Sequence, residues 1–265
     1  AGATATRVAR SVHATHIALA VPGDDVSAVQ FIEGAILGAY TFDRYLSKKD
    51  DDFTGFESLA IVNPNGVAEA VRVAKMIAGG VCFARDLVNE TPNNLTPEAL
   101  ATKAMDTASK YGLESKIYDA DHLQSKGFDL IMAVGKGSQN RPCLIHLTYK
   151  PEGEVKKRVA FVGKGVTFDT GGYNIKPGSS MLAMHSDMAG AAAVLGAAQA
   201  IGELKPEGVE VHFVCPAAEN SISGNAMRPQ DIIRGYGGQT VEIHNTDAEG
   251  RLILADALAY IQEFK

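Results

Sequence analysis

Short apolar runs with strand character alternate with helix-like segments along most of this chain, and that alternation limits the possible folds more than any other feature. In order come "ESKIYDA", a helix around "DHLQSKG", then "LIMAVGKGS", "CLIHLTY", "RVAFVGKGVTFD", a helix over "DMAGAAAVLGAAQAIGEL" and finally "EVHFVCPAAEN". The stretch "LIMAVG" reads as a strand that turns tightly at Gly135 and Gly137. Such alternation predicts an α/β layered fold with a mainly parallel sheet. Upstream, "THIALAVPG" reads as a strand ending in a Pro-Gly turn, and Val29, Ile32, Ile36, Leu37 and Tyr40 then fall at helical spacing. A solvated loop, "SKKDDDFTG", precedes a strand, "SLAIVNP", and a long helix, "VAEAVRVAKMIAGGVCFARDLVN", that is expected to connect two parts of the molecule. Thr96 as N-cap, Pro97 at the first helical position and Glu98 in the first turn mark a further helix start.

An apolar content of 46% suits a protein with a real core and excludes disordered and fibrous classes. No run approaches the roughly 18 apolar residues of a membrane span, and the residues after Arg7 and Arg10 form a strand and turn rather than a signal peptide. A net charge of −6 gives no electrostatic footprint for nucleic acid or anionic membrane. Three well-separated cysteines, Cys82, Cys143 and Cys215, sit in apolar contexts and suggest buried thiols in a reducing compartment, with the cytoplasm expected. Two glycine clusters fail as nucleotide loops. In "VGKGSQN" Asn140 replaces the third glycine of G-x-G-x-x-G, and in "VGKGVTFDTGG" the lysine precedes the loop instead of closing it.

Open α/β sheets bind ligands beyond the carboxyl ends of their strands. Three such ends carry charge here: Lys164 and Asp169 after "RVAFVG", with Lys176 in the loop that follows; Asp187 at the mouth of an Ala- and Gly-rich helix; and Asp247, Glu249 and Arg251 after "TVEIHN". Spacing of two along an extended segment places those last three on one face, with Ala248 and Gly250 on the other. Taken singly, Asp187 reads as a helix N-terminal acid, Asp247 as a turn or cap residue, and Arg251 as a partner for Asp256 or another nearby carboxylate. Together, Asp169, Asp187, Asp247 and Glu249 would repel one another unless positive charge converged with them. Two divalent metals would provide it: oxygen-rich sites suit Mg²⁺ or Mn²⁺, accept Zn²⁺, and support hydrolysis by an activated water. A lysine could join as a ligand only as the neutral amine.

"NTDAEGRLILADAL" resembles the signature of the leucine aminopeptidase family, the dinuclear-metal exopeptidases, and "VGKGVTFDTGGYNIKPGSSMLAMHSDMAGAAAVLGA" resembles its second block. Weaker similarity in "ARDLVNETPNNLTPEALA", "AVGKGSQNRPCLIHLTY" and "PAAENSISGNAMRPQDI" extends the resemblance over most of residues 30 to 265. It implies a three-layer α/β catalytic domain over 89–265, a connector helix over 69–88 and the remainder of a smaller α/β domain over 1–68. It further implies that Asp169, Asp247 and Glu249 hold one metal, that Lys164, Asp169, Asp187 and Glu249 hold the other, and that the metals are Zn, Mn, Mg or Co. Lys176 would polarise the scissile carbonyl, Arg251 would position a bicarbonate that shuttles protons, and Met184 would line the pocket for the first side chain. The activity implied is metal-dependent removal of N-terminal residues, leucine and other apolar ones first, from peptide substrates by a homo-hexamer. The alternative is a non-catalytic structural or regulatory subunit of the same descent. His185 stands where the family carries Lys or Arg and is not nominated as a ligand. Because the resemblance stops short of the family's later strands and helices, the chain is expected to be an internal piece with an incomplete sheet. It should expose an unpaired sheet edge and need the C-terminal segment for activity.

Overall fold

The computed structural model describes residues 1–21, 24–47, 53, 55–63 and 66–264. The expected Pro-Gly turn at 22–23 and most of the expected solvated loop at 47–55 lie outside them. Two compact units divide the chain, Ala1–Cys82 and Phe83–Lys265, and the division falls within one helix.

The first unit comprises α1 (Gly2–Ser11), β1 (His16–Ala20), α2 (Asp25–Ala39), β2 (Ser58–Val62) and the beginning of α3 (Ala68–Asn89). The Asp24 carboxylate accepts a hydrogen bond from the Ser27 backbone N–H and starts α2, while β1 and β2 pair in parallel from His16↔Ser58 to Ala20↔Val62. Ala28 and Ile32 of α2 pack with Ala70 and Ala74 of α3 in a small core.

The second unit continues with α4 (Pro97–Tyr111), β3 (Glu114–Tyr118), α5 (Ala120–Lys126), α6 (Asp129–Gly135), β4 (Cys143–Tyr149), β5 (Lys157–Val162), β6 (Gly165–Asp169), the short α7 (Gly178–Met181), α8 (Ala189–Leu204), β7 (Val209–Asn220), the hairpin of β8 (Ile232–Arg234) and β9 (Thr240–Glu242), and α9 (Glu249–Ile261). The expected cap is present: Thr96 Oγ1 accepts from the Ala99 backbone N–H, with Pro97 following. The main sheet runs β3-β4-β7-β5, and β6 extends beyond β5 along the same edge of β7. Side chains alternate across it, so Ile145, Leu147, Phe213 and Cys215 meet α4 and α8 on one face, while Leu144, Val214 and Ala218 meet α6 and α9 on the other. These are the three layers of the expected α/β class.

In the sheet, expected to be mainly parallel, β5 and β6 pair in parallel with β7, and β4 is antiparallel to both of its neighbours. The short connection 150–156 sets the direction of β4 relative to β5, and so to β7. A parallel return needs a crossover of roughly a dozen residues or more, so β5 comes back antiparallel to β4, whereas the α8 crossover sets β7 parallel to β5. Among the described residues β7 is the one strand paired with β5, whose Phe161 is 42% exposed.

Two expectations need correction. "RVAFVGKGVTFD" is two strands, β5 and β6, separated at Gly163 and Lys164. "LIMAVG" is the helix α6 rather than a strand, because the buried carboxylate of Asp256 on α9 accepts from the Leu130 and Ile131 backbone N–H groups, each at 3.0 Å. A remote side chain thus satisfies donors that a helix start leaves open. The "VGKGSQN" glycines serve packing: a Cβ on Gly137 would stand 2.2 Å from the Ser221 carbonyl oxygen, and Glu219 accepts from Ser138 Oγ and Asn140 Nδ2, each at 2.8 Å.

Candidate active site

Lys164 stands between β5 and β6, and Asp169 ends β6 opposite Asn220, the last residue of β7, so the carboxyl ends of two parallel-paired strands lie side by side here. Asp187 sits at the end of a 3₁₀ turn, Met184–Ser186, just before α8. Asp247 lies in a turn and Glu249 is the first residue of α9. The extended segment expected for Asp247, Glu249 and Arg251 is therefore a turn running into a helix. Glu249 is turned inward and buried, and Arg251 is exposed.

Two lysines divide four carboxylates between them. Lys164 Nζ lies 2.8 Å from Asp187 Oδ2 and 2.7 Å from Glu249 Oε1. Lys176 Nζ lies 2.9 Å from Asp169 Oδ2 and 2.5 Å from Asp247 Oδ1. Carboxylate oxygens of Asp169, Asp187 and Glu249 come within 4.8 Å of one another. The Lys164 chain crosses over Gly250, where a Cβ would stand 2.7 Å from its Cδ. That contact explains the small residue between Glu249 and Arg251.

Burial pushes the Asp187 and Glu249 carboxyls above their ordinary range, against the pull of Lys164, and the Asp169 charge adds to the rise at both. Burial also pulls both lysines down, but their hydrogen bonds to Asp187 and Glu249, and to Asp247 and Asp169, outweigh it and raise them. The Oε2 atom of Glu249 is buried without a hydrogen-bond partner among the described residues. A partnerless carboxylate oxygen beside two further carboxylates suits a cation, since desolvation without a partner is costly. The donor set of hard oxygens and one amine fits Mg²⁺, Mn²⁺ or Zn²⁺.

A family model described as the cytosol aminopeptidase family, catalytic domain, matches residues 82–265, and that family's N-terminal domain matches 1–49. The chain belongs to the cytosol aminopeptidase family. A probable cytosol aminopeptidase of Persephonella marina is 50% identical over 92% of this chain and 49% of its own length. Another from Aquifex aeolicus is 50% identical over 88% of the chain and 47% of its own. One from Microcystis aeruginosa is 41% identical over 100% of the chain and 55% of its own. The chain thus spans about half the length of the curated relatives it matches.

Of the residues singled out from the sequence, Lys164, Asp169, Lys176, Asp187, Asp247 and Glu249 come together. Met184 stands half-buried in the turn leading to Asp187. Arg251 makes no ion pair with the cluster among the described residues, nor with Asp256, whose oxygens take the backbone N–H groups of Leu130, Ile131 and Tyr236. Instead Arg251 lines a surface hollow with Glu242, His244 and Asn245. A larger cavity, about 520 Å³, opens by Met105, Ile117 and Cys143 and shares no lining residue with the cluster.

Sequence reasoning missed three supporting residues. Thr246 Oγ1 donates to the Gly171 carbonyl at 2.6 Å and accepts from the Asn174 N–H at 2.9 Å, while Asn174 Oδ1 accepts from the Thr246 N–H at 2.9 Å. These bonds clamp the Lys176 loop to the Asp247 turn. The third is Asn220. Its signal was a polar pair closing the apolar run "CPAAEN", opposite Asp169 in the β6–β7 register.

Proposed function

We propose that the intact protein is a metal-dependent aminopeptidase that removes N-terminal residues from peptides, with leucine and other apolar residues preferred. The observation that carries this reading is the convergence of Asp169, Asp187 and Glu249 within 4.8 Å, flanked by two lysines, in a chain of the cytosol aminopeptidase family. Asp169, Asp247 and Glu249 would hold one divalent cation, and Lys164, Asp169, Asp187 and Glu249 a second. Such cations supply Lewis acidity and a water made nucleophilic at neutral pH. Lys164 joins the donor set after losing its proton. Lys176, kept protonated between Asp169 and Asp247, offers a fixed positive charge to the oxygen of the scissile carbonyl as it becomes negative.

Arg251, exposed and unpaired among the described residues, presents the planar fork of donors that suits a bicarbonate ion, which would carry the proton to the leaving amine. Met184 would contact the first side chain, and the remainder of the intact protein would complete that pocket. A hexameric, cytoplasmic enzyme is part of the same proposal. Among the described residues no helix is long and apolar enough to cross a membrane.

The test is hydrolysis of leucine-p-nitroanilide by the intact protein, dialysed and resupplied with Mn²⁺ or Zn²⁺, beside elemental analysis. Asp247→Ala and Glu249→Ala should each lose metal and activity by more than the roughly 100-fold that removing an outer partner of a metal ligand costs. Unchanged hydrolysis in either variant refutes the assignment.

A further inference from the structure

Asn220 is 1% exposed and lies directly behind Asp169. Its Nδ2 donates to Asp169 Oδ1 at 2.8 Å and to the Thr246 carbonyl at 3.1 Å. Both partners are acceptors without a proton to give, so chemistry fixes which way the amide faces. The Gly171 backbone N–H donates to the same Asp169 Oδ1 at 2.9 Å. One oxygen of Asp169 therefore carries two donors, and the other, Oδ2, faces the cluster and Lys176. The second bond of the amide reaches the residue just before Asp247. A single side chain thus ties the end of β6 to the turn that delivers Asp247 and Glu249. Gly172, at φ +62°, makes room for this arrangement: a Cβ there would stand 3.2 Å from Asn220 Oδ1 and 2.9 Å from Thr246 Oγ1.

We propose that Asn220 is a positioning residue of the metal site, its amide turning Asp169 so that Oδ2 is the oxygen offered to a divalent cation and fixing the separation of Asp169 from Asp247. This role rests on reading the carboxylate cluster as a metal site. Groups that occupy the remaining lone pairs of a ligand set its orientation and, through that, the affinity of the site.

The experiment uses the intact metal-free protein, titrated with Mn²⁺ by electron paramagnetic resonance and loaded with Co²⁺ for its visible ligand-field bands. Asn220→Leu removes the donor at similar size without adding charge, and Asn220→Ala removes it without adding bulk if the leucine variant does not fold. Mn²⁺ should bind roughly 10- to 100-fold more weakly to the variant. The Co²⁺ bands of the folded variant should shift, beside the modest fall in the metal-free thermal midpoint that two open buried acceptors bring. A lowered midpoint with unchanged Co²⁺ bands would mean that Asn220 serves the fold alone and overturns the role. Equal Mn²⁺ affinity in parent and variant overturns it while leaving the metal site standing. If the parent binds no Mn²⁺, the metal site itself falls, and this role with it.

Discussion

The Asp256 carboxylate accepts a hydrogen bond from the backbone N–H of Leu130, a residue 126 positions earlier, and a second from Ile131. Its other oxygen takes the Tyr236 N–H at 2.8 Å. Asp256→Ala leaves three N–H groups without their acceptor and should cost about 3 kcal/mol or more. Urea unfolding reads this as a lower midpoint at unchanged slope. A variant as stable as the parent would mean that water takes over the cap.

Replacing Lys176 by Met keeps the length of the chain and removes its charge. If the ammonium acts on charge that develops during reaction, kcat should fall about 100- to 1000-fold while KM changes little. Metal content, measured on the same samples, should be retained. A rise in KM at constant kcat would assign Lys176 to binding alone.

Gly250→Ala places a methyl group where the Lys164 chain now runs, 2.7 Å from Cδ and 2.9 Å from Nζ. The flexible lysine will yield rather than the helix, so the amine should leave Asp187 and Glu249. Mn²⁺ affinity should drop severalfold, and the urea midpoint of the metal-free protein should fall as well, because the buried Glu249 carboxylate loses its ammonium partner.

Thr246→Val and Thr246→Ser form a matched pair. Valine keeps the shape and loses the hydroxyl between Gly171 and Asn174, so it should cost about 1–3 kcal/mol. Serine keeps the hydroxyl and should cost less. The reverse order would show that the methyl group, not the hydrogen bonds, holds the loop.

Stability should also depend on a buried chain of polar groups away from the site. Tyr118 and Tyr260 hydroxyls meet at 2.9 Å, Tyr260 meets His146 Nδ1 at 2.8 Å, and His146 Nε2 meets His212 Nδ1 at 2.9 Å. His212 Nε2 lies 3.0 Å from Glu210, which Arg158 also holds. Burial, followed by the neighbouring His212 and Lys116 charges, pushes His146 down to about 4. The unfolded chain therefore takes up this proton first as pH falls. The stabilisation is complete above about pH 6.5 and declines toward pH 4, by up to about 1.4 kcal/mol per unit. Urea midpoints between pH 4 and 7 should show this slope, and His146→Gln should flatten it.

The sequence made the local features legible. Thr96 and Pro97 carry their own cap within a few residues, and the apolar periods of β4 and β7 announce both of their faces. The charged residues at strand ends were legible because each follows an apolar run. What depended on remote contacts was not. "LIMAVG" has a period that suits either structure, and the carboxylate that decides for a helix lies on α9. Asp247 and Glu249 look like alternating strand residues until the Thr246–Asn174 clamp turns the chain. Asn220 holds no charge, so only its proximity to Asp169 marks it.

Glu249 and Asp256 are seven residues apart on α9, close to two full turns, and both are buried. One reaches the carboxylate cluster and the other holds α6, so the helix is keyed into the unit at two points on one side. Inserting a single residue between them would rotate one key by roughly 100° against the other, and α9 could then engage the site or its neighbouring helix, not both.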